Sequence, residues 1–219
     1  MTVSSKAGAS AVTLRVMELG DIPLVVELHR KYLHQGFFVD LGLRFLAHYY
    51  RTFVTSPAGL ALVAESGDSF AGYLVGTVDE IAHRRHVARL DRGRLARAGA
   101  LSLTIRPRLM ARFVRTRAVR YARGLGKARA SETEPRPSEK FGILHHMAVR
   151  ETAQRGGVGR TLVHGFTDMA RLQGTHKLIL HARRDNVGAH AFYTDLGWIK
   201  GGLEDDMDGR QWLPFSMDL

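Results

Sequence analysis

The 219-residue chain contains no cysteine, and it is short of acidic residues, with 21 Asp and Glu against 32 Lys and Arg. The lack of cysteine excludes disulfides, thiolate metal sites and a cysteine nucleophile. No apolar run approaches the ~18 residues of a membrane-spanning helix, and Met1–Ala11 lacks the apolar stretch of a signal peptide. We therefore expect a cytoplasmic protein. The ordinary globular composition, 45% hydrophobic, predicts a single domain over residues 1–219.

The excess of positive charge is concentrated in one stretch of the chain. Fifteen of the 32 Lys and Arg lie between His83 and Ala130, where Asp91 is the only acid, so this stretch carries +14. The rest of the chain, with 17 basic and 20 acidic residues, carries −3. We call residues 81–140, which contain this stretch and the polar segment that closes it, the basic insert. Its charge needs an explanation separate from that of the rest of the chain.

Hydrophobic periodicity predicts strands and helices on both sides of the basic insert. Apolar and β-branched runs predict strands over Ala11–Met17, Leu60–Glu65, Ala71–Val78, Phe141–Val149, Lys177–Ala182, Trp198–Lys200 and Trp212–Met217. Apolar residues at helical spacing predict helices from Asp21 and over Leu41–Thr55, Val158–Leu172 and Val187–Leu196. This order predicts an α/β fold, with a mixed sheet flanked by helices. The strand Lys177–Ala182 is apolar almost throughout, which predicts burial on both faces.

A glycine-rich turn, Thr152–Gly159, joins the strand Phe141–Val149 to the next helix. Glycines let backbone N–H groups point into such a turn, and the positive end of the helix dipole lies at the same place. These features suit an anion such as pyrophosphate, although a plain turn without a ligand could hold the same glycines. A P-loop is excluded because no lysine follows the glycines, and a dinucleotide fingerprint would follow the first strand.

Two motifs in this half of the chain resemble signatures of the GNAT N-acetyltransferase superfamily. Gln154-x-x-Gly157-x-Gly159 resembles the family's Gln/Arg-x-x-Gly-x-Gly/Ala acetyl-CoA motif. The run Asn186–Trp198 (NVGAHAFYTDLGW) resembles its second signature, Asn-x-x-Ala-x-x-Phe-Tyr-x-x-x-Gly-Phe/Trp. The resemblance implies a mixed, mostly antiparallel sheet flanked by helices, with the basic insert between the third and fourth strands. It does not explain the insert itself.

The resemblance also implies acetyl-CoA as cosubstrate. No metal is expected, because no third ligand to His145 and His146 has recognisable spacing. The strand end that would pair with the pantetheine arm consists of Met147, Ala148 and Val149. The turn that would bind the pyrophosphate consists of Gln154, Arg155, Gly156, Gly157, Val158, Gly159 and Arg160; the two arginines could also be ordinary surface charges. Asn186 would cap the next helix and touch the cosubstrate. Tyr193 would be the general acid that protonates the leaving thiolate, and its alternative is a core aromatic.

Two residues compete as the general base. His145 and His146 are adjacent in a predicted strand, which predicts that they face opposite sides of the sheet and that His145 shares a face with Met147 and Val149. A histidine pKa near ~6.5 suits the removal of a proton from an amine at neutral pH. Glu65, near the end of an earlier strand, is the alternative. Each histidine could also be a core or edge residue without a catalytic role.

The loop between the first two helices would form the acceptor side of the site. Phe37, Phe38 and Asp40 could hold a partly apolar amine, and aromatic packing between the helices would explain them equally well. The predicted function is the direct transfer of an acetyl group from acetyl-CoA to a primary amine of an unidentified acceptor. The alternative is a non-catalytic module on the same fold that binds CoA, an anionic membrane or a polyanion.

Three interpretations of the basic insert stay open. Apolar residues at helical spacing, after Pro107 and more weakly through Leu90 and Leu101, predict one or two basic amphipathic helices. Their apolar face could pack on the body of the protein or on a second copy in a homodimer. The arginines from Arg84 to Arg129 could instead bind an anionic membrane, placing the protein on the inner membrane surface. They could also bind a polyanionic acceptor.

Overall fold

The computed structural model describes residues 11–33, 37–104, 140–206 and 209–219, together with residues 106, 108, 110, 111 and 114. The strands are β1 (Val12–Val16), β2 (Gly59–Ser66), β3 (Ser69–Thr77), β4 (Phe141–Val149), β5 (Lys177–Arg183), β6 (Ile199–Lys200), β7 (Glu204–Asp205) and β8 (Gln211–Asp218). The α-helices are α1 (Ile22–Tyr32), α2 (Phe37–Asp40), α3 (Leu43–Thr55), α4 (Glu80–His86), α5 (Arg92–Thr104), α6 (Val158–Leu172) and α7 (Val187–Asp195). None of these helices is long and apolar enough to cross a membrane.

A single sheet contains these strands in the order β1-β2-β3-β4-β5-β8-β6, and β7 also pairs with β8. Neighbouring strands are antiparallel except for β4 and β5, which are parallel. A parallel pair needs a crossover connection, and α6 provides it. The predicted class, a mixed and mostly antiparallel sheet flanked by helices, is confirmed.

Helices pack on both faces of the sheet and bury two separate apolar layers. On one face, α6 buries Leu162 and Phe166 in a layer that includes Leu74 of β3. On the other face, α1 and α3 cover a layer that includes Val25 of α1 and Val75 of β3. Leu74 and Val75 are neighbours in the chain and belong to different layers because successive strand side chains point to opposite faces.

The parallel strands β4 and β5 are paired only at their beginnings. Residues 141–144 of β4 pair with residues 177–180 of β5, and no register pair joins the two strands beyond these. From there β4 continues along β3 and β5 continues along β8. One edge of β4 therefore has no strand partner from His145 to Val149 among the residues that the structure describes. We call this opening between the two strands the split.

A β-bulge lies in β4 where the split begins. The register with β3 passes from His146 directly to Leu144, so His145 is an extra residue in β4. Because an extra residue interrupts the alternation of a strand, two successive side chains can point to the same face. His145 and His146 both contact α3, through the rings of Phe53 and Tyr49 respectively. The bulge thus brings two histidines onto one face beside the split.

The described part of the basic insert forms α4, a π-helical turn at Val87–Asp91 and α5, which packs on α3. The contact includes a small apolar cluster of Leu103 with Leu41 and Phe45. The hydroxyl of Ser102 also donates a hydrogen bond to the backbone oxygen of Leu41, at 2.5 Å. These contacts fix α5 against the region that connects α1 with α3.

The buried side of α4 and α5 differs from the one that the sequence predicts. Leu90 and Leu101 are 65% and 51% exposed, whereas Asp91 and Leu103 are buried. The π-helical turn has more residues per turn than an α-helix, so it rotates the side chains that follow it away from the expected stripe. The predicted helix after Pro107 lies outside the described residues, apart from the few single positions given above.

β5 is buried on one face only. Leu178, Leu180 and Ala182 are buried, whereas Lys177 and His181 are exposed. The prediction of burial on both faces is wrong, because α1 and α3 lie against β2, β3 and β4 and leave this face of β5 uncovered.

Candidate active site

The turn between β4 and α6 has the backbone shape of an anion-binding loop. Gly157 precedes the helix with a φ of 82°, and Arg155 also has a positive φ, 63°. Such left-handed conformations favour glycine. No described side chain caps the first turn of α6, so the N–H groups of Val158, Gly159 and Arg160 stay available to a ligand. An anion at this point would also be stabilised by the positive end of the helix dipole.

The start of α6 lies close to both β4 and α7. A Cβ added at Gly159 would lie 3.4 Å from the Phe192 ring and 3.8 Å from the side chain of Val149. The side-chain amide of Gln154 donates a hydrogen bond to the Val149 backbone oxygen at 3.2 Å. The turn is therefore tied to the end of β4, and glycine at position 159 keeps room between the two elements.

The free edge of β4 leads from this turn into the sheet. Met147, Ala148 and Val149 pair with β3 on one side, and their other side faces the split. Backbone groups on such an edge can form hydrogen bonds with an extended ligand, as another strand would. The residues present thus fit acetyl-CoA, with a pyrophosphate at the turn and an extended pantetheine arm along β4.

Helix α7 contributes two of the predicted site residues. The Asn186 side chain accepts a hydrogen bond from the Ala189 backbone N–H at 3.1 Å, which confirms that it caps the helix. Tyr193 is buried, and no hydrogen bond to its hydroxyl is found among the described residues. Burial raises the pKa of Tyr193 above its usual value, so the hydroxyl stays protonated at neutral pH. Its ring packs against those of Phe192, Trp198 and Phe215.

The structure corrects the prediction for the two histidines of β4. His145 and His146 face the same side of the sheet, and Met147 and Val149 pack in the layer under α6 on the other side. The β-bulge is the physical reason, because it shifts the alternation by one residue. Burial lowers the pKa of His146 well below its usual value, and the nearby His29 and His145 lower it further. His146 is therefore neutral at physiological pH.

The acid beside His145 is Glu80, which the sequence analysis did not single out. Glu80 Oε2 lies 3.1 Å from His145 Nε2 and accepts a hydrogen bond from the Thr77 hydroxyl at 2.9 Å. Burial raises the pKa of Glu80, but hydrogen bonds and charge from His145, Arg84 and Thr77 outweigh burial and lower it to about 2. In the sequence, the only indication of Glu80 was that it directly follows Asp79, whose side chain caps α4.

Glu65, the alternative base, lies elsewhere in the sheet. Its carboxylate accepts a hydrogen bond from Arg15 Nε at 2.8 Å, on the strand pair β1–β2. In β3, the partner of Glu65 is Phe70, whereas the bulge at His145 lies opposite the step from Val75 to Gly76. The structure therefore does not bring Glu65 and His145 together, and Glu65 has a charge partner of its own.

A further histidine that the sequence analysis passed over lies on β5. His181 is the first residue of β5 beyond its pairing with β4, and its side chain is on the uncovered face. Its Nε2 lies 3.6 Å from Glu204 Oε2.

The described residues contain no group of three His, Cys, Asp or Glu side chains that could hold a metal ion.

The predicted acceptor residues lie in α2 and pack against α3. The Phe38 ring lies 5.4 Å from that of Phe45 and 4.9 Å from that of Tyr49, between centroids. The backbone oxygen of Asp40 accepts a hydrogen bond from Arg106, beyond α5. The side chain of Phe37 lies outside the described residues. Aromatic packing therefore accounts for Phe38, and an acceptor role for Phe37, Phe38 and Asp40 stays a prediction.

Comparison with known protein families agrees with this geometry. Residues 99–198 match the model of the Acetyltransferase (GNAT) family. The matched range contains β4, the glycine turn, α6, β5 and α7, and thus both sequence motifs. No curated protein matches the chain by sequence.

Solved structures with the same fold superpose on nearly the whole chain. Ard1 from Thermoplasma volcanium superposes with a TM-score of 0.58 at 16% identity, over 95% of this chain and 98% of that one. The ribosomal-protein-S18-alanine N-acetyltransferase from Escherichia coli gives 0.57 at 14%, over 95% and 94%. A mutant spermidine N-acetyltransferase SpeG from Vibrio cholerae gives 0.57 at 14%, over 94% and 93%. At identities this low, the superpositions show a shared fold and nothing more.

Proposed function

Because residues 99–198 match the model of the GNAT acetyltransferase family, we propose that this chain is an acyl-CoA-dependent N-acetyltransferase that transfers an acetyl group from acetyl-CoA directly to a primary amine. The observation that carries the proposal is the split between β4 and β5. One end of it meets the uncapped first turn of α6, and the other meets His145. If acetyl-CoA lay extended along the split, its pyrophosphate would bind the first turn of α6 and its thioester would lie near His145 in the bulge.

The cosubstrate would be held mainly by backbone groups. The turn over residues 154–160 would bind the pyrophosphate through N–H groups, with positive charge from the exposed Arg155 and Arg160. Residues 147–149 would pair with the pantetheine arm on the free edge of β4. Bound in this way, acetyl-CoA supplies an activated acyl group at the thioester.

Direct transfer requires three events at that thioester. The amine nitrogen forms a bond to the acetyl carbon, the carbon–sulfur bond breaks, and the amine loses a proton while the thiolate gains one. We assign the acceptance of the amine proton to His145 and the protonation of the sulfur to Tyr193. Holding the amine beside the thioester supplies a large part of the rate, because a reaction between two molecules becomes a reaction within one complex.

The environment of Tyr193 supports the role of an acid. Its ring is fixed by aromatic neighbours, which orients the hydroxyl. Burial raises the pKa of Tyr193 and makes it a weaker acid than a free tyrosine, so its orientation, and not its acidity, supports the role. Its hydroxyl makes no hydrogen bond to a described residue that would have to break before proton transfer. Phenylalanine at this position would keep the packing and remove only the proton.

The decisive experiment measures the release of free CoA thiol from acetyl-CoA in the presence of candidate amines. Aminosugars, polyamines, protein N-termini and amino acids form the panel, and longer acyl-CoAs test the length of the acyl group. We expect Tyr193→Phe to lower kcat by about a hundredfold or more and to leave the acetyl-CoA Kd unchanged. Tyr73→Phe is the control for the loss of a buried tyrosine hydroxyl, because Tyr73 lies on the opposite face of the sheet, where its hydroxyl is 2.7 Å from that of Tyr50.

Two outcomes would contradict the proposal. If the protein binds acetyl-CoA and no amine on the panel releases CoA, the alternative of a non-catalytic CoA-binding module is favoured. If Tyr193→Phe is as active as the wild type, the assignment of the acid is wrong, even though the transfer itself stands.

A second proposal concerns the surface of α4 and α5, which we propose binds an anionic membrane. The arginines of this stretch are all exposed: Arg84, Arg85, Arg89, Arg92, Arg94 and Arg97. Its acids, Glu80 and Asp91, are buried. The exposed side chains of Ile81, Leu90 and Leu101 lie in the same segment. Basic residues near an anionic bilayer contribute about 1 kcal/mol each, and apolar side chains can enter the headgroup region.

A groove of about 480 Å³ supports a lipid as the partner. It lies between the turn after α3 and the start of the basic insert, and its lining includes Pro57, Ala82 and Leu90 together with Arg85 and Arg89. Apolar walls beside two arginines match an acyl chain that carries an anionic headgroup. Nucleic acid is less favoured, because residues 79–112 contain no Phe, Tyr or Trp on which a base could stack.

The test is sedimentation with vesicles that contain phosphatidylserine, compared with vesicles of phosphatidylcholine alone. Arg85→Gln/Arg89→Gln should lose binding, whereas Arg30→Gln/Arg171→Gln, with the same loss of charge elsewhere, should retain it. Equal binding by both variants, or binding of RNA without binding of vesicles, would overturn this proposal. The cytoplasmic location and the homodimer stay predictions from the sequence.

A further inference from the structure

We propose that Glu80, the first residue of α4, is a positioning residue that holds His145 as the general base of the acetyl transfer. The proposal rests on the proposed function, because His145 has a proton to accept only if an amine is acetylated. It adds a residue that neither sequence motif contains. It also makes the helix that enters the basic insert part of the active site.

His145 occupies the place at which β4 and β5 separate. The bulge turns its side chain to the face covered by α3, where the ring lies 5.1 Å from that of Phe53, between centroids. The side chain is 23% exposed, so it is accessible to a ligand although it lies among packed residues. A base in this position is at the inner end of the split, where the thioester of an extended cosubstrate would end.

Glu80 is fixed more tightly than a surface ion pair would be. The residue is 2% exposed, and its two oxygens have different partners. Oε1 accepts a hydrogen bond from Arg84 Nε at 2.6 Å, and Oε2 accepts one from the Thr77 hydroxyl while facing His145 Nε2. The Thr77 hydroxyl in turn accepts a hydrogen bond from the Ile143 backbone N–H at 3.1 Å. The carboxylate is thus anchored to the β3–β4 pair itself.

This arrangement determines which nitrogen of His145 can act. An ionised carboxylate can only accept hydrogen bonds, so Nε2 must carry the hydrogen that points to Glu80. In the neutral ring Nδ1 is then the unprotonated nitrogen, and it has no hydrogen-bond partner among the described residues. Nδ1 is therefore the atom that would accept the proton of the amine, and Glu80 would stabilise the positive charge that forms on the ring.

The other charged or titratable groups near His145 do not offer a competing anion. Helix α4 contributes His83 and Arg84, β4 contributes His146, and α3 contributes Tyr49. Burial lowers the pKa of His83 to about 4, and it raises that of Tyr49 above its usual value. Both are therefore neutral near pH 7, and Glu80 is the negative group that faces the ring of His145 among the described residues.

The first measurement reports the tautomer and needs no activity. Nitrogen-15 NMR of histidine-labelled protein, with the His145 signals assigned from a His145→Gln sample, should show hydrogen on Nε2 in the wild type. In Glu80→Gln this preference should be lost. Asp91→Asn is the matched control, because Asp91 is also a buried acid of this region, 3.4 Å from its partner Arg94. That variant should leave the tautomer unchanged.

The second measurement is kinetic. Glu80→Gln should lower kcat by about tenfold to a hundredfold and leave the KM for acetyl-CoA unchanged. The loss is smaller than that expected on removal of a general base, because His145 itself is still present. Glu80→Asp keeps the charge and should restore part of the loss. A purely structural role would instead lower thermal stability and leave kcat per folded molecule unchanged.

The outcomes separate this inference from the proposed function. If His145 does not carry hydrogen on Nε2 in the wild type, the positioning by Glu80 is refuted whatever the enzyme acetylates. If Glu80→Gln changes the tautomer and kcat stays the same, the contact exists and the catalytic role is refuted. If the wild type acetylates no amine, the proposed function and the catalytic role both fall, and the tautomer still reports on the contact.

Discussion

Replacing Gly157 with alanine tests whether the shape of the turn before α6 governs the binding of acetyl-CoA. Gly157 has a φ of 82°, and an added Cβ would meet no atom within 4 Å. The substitution therefore introduces backbone strain without a steric clash. Gly174, just beyond the C-terminus of α6, has a φ of 71° and is equally open, so Gly174→Ala applies the same strain away from the turn.

The expected magnitude comes from the left-handed conformation alone. An L-residue with a side chain costs about 1–2 kcal/mol there relative to a right-handed conformation. Gly174→Ala should therefore lose about 1–2 kcal/mol of unfolding free energy, and in Gly157→Ala the same strain is divided between unfolding and binding. If the turn of Gly157→Ala relaxes, it must return to its strained shape to bind the pyrophosphate. Complete relaxation would leave the unfolding free energy unchanged and weaken the affinity for acetyl-CoA by about fivefold to thirtyfold.

The assays are urea denaturation for both variants and calorimetric titration with acetyl-CoA. In Gly157→Ala the losses of unfolding free energy and of binding free energy should together reach about 1–2 kcal/mol, and Gly174→Ala should show lower stability alone. Wild-type affinity in a Gly157→Ala that also keeps wild-type stability, and whose turn has therefore relaxed, would refute the idea that the N–H groups of this turn bind the pyrophosphate. A loss of affinity in both variants would attribute the effect to general destabilisation.

Two further predictions concern stability. Leu103→Ala should lower the unfolding free energy by about 2 kcal/mol, because Leu103 is buried against α3. Leu101 is half-exposed, so Leu101→Ala should change the unfolding free energy by less than about 0.5 kcal/mol. Equal losses for the two variants in denaturant titrations would contradict the packing of α5. Burial lowers the pKa of His29 to about 4 from 6.5, so the unfolded chain binds the extra proton and stability falls as the pH drops from 6.5 towards 4. His29→Gln should reduce that slope by up to about 1.4 kcal/mol per pH unit, and an unchanged slope between pH 6.5 and 5 would contradict the neutral state of His29.

The sequence predicts best where local signals and motifs coincide. β4 and α6 have the predicted boundaries, because apolar periodicity, the glycine turn and a helix start all indicate the same junction. Asn186 caps α7 as the second motif implies. These are local properties of the chain, set by residues within a few positions of one another.

The sequence does not determine which face of an element a side chain occupies where an extra residue shifts the register. The bulge at His145 adds one residue to β4, and no residue type near it marks the position. The π-helical turn before α5 has the same effect on the basic insert, where Leu90 and Leu101 became exposed. In both cases one extra residue changes the face to which the following side chains point. Residue spacing therefore no longer predicts which side chains are buried beyond that residue.

The site also shows why the basic insert is better studied by point substitution than by deletion. In the sequence, the charge of the insert lies apart from the motifs that indicate the chemistry of the rest of the chain. In the structure the two meet, because Arg84, whose side chain is 72% exposed, donates a hydrogen bond to the buried carboxylate that faces His145. A deletion from residue 83 onward would remove Arg84 together with the arginines of the proposed membrane surface, and any loss of activity would have two explanations. Arg85 and Arg89 have no hydrogen bond or ion pair to a described residue, so their substitution can test the membrane surface while Glu80 and His145 keep their contacts.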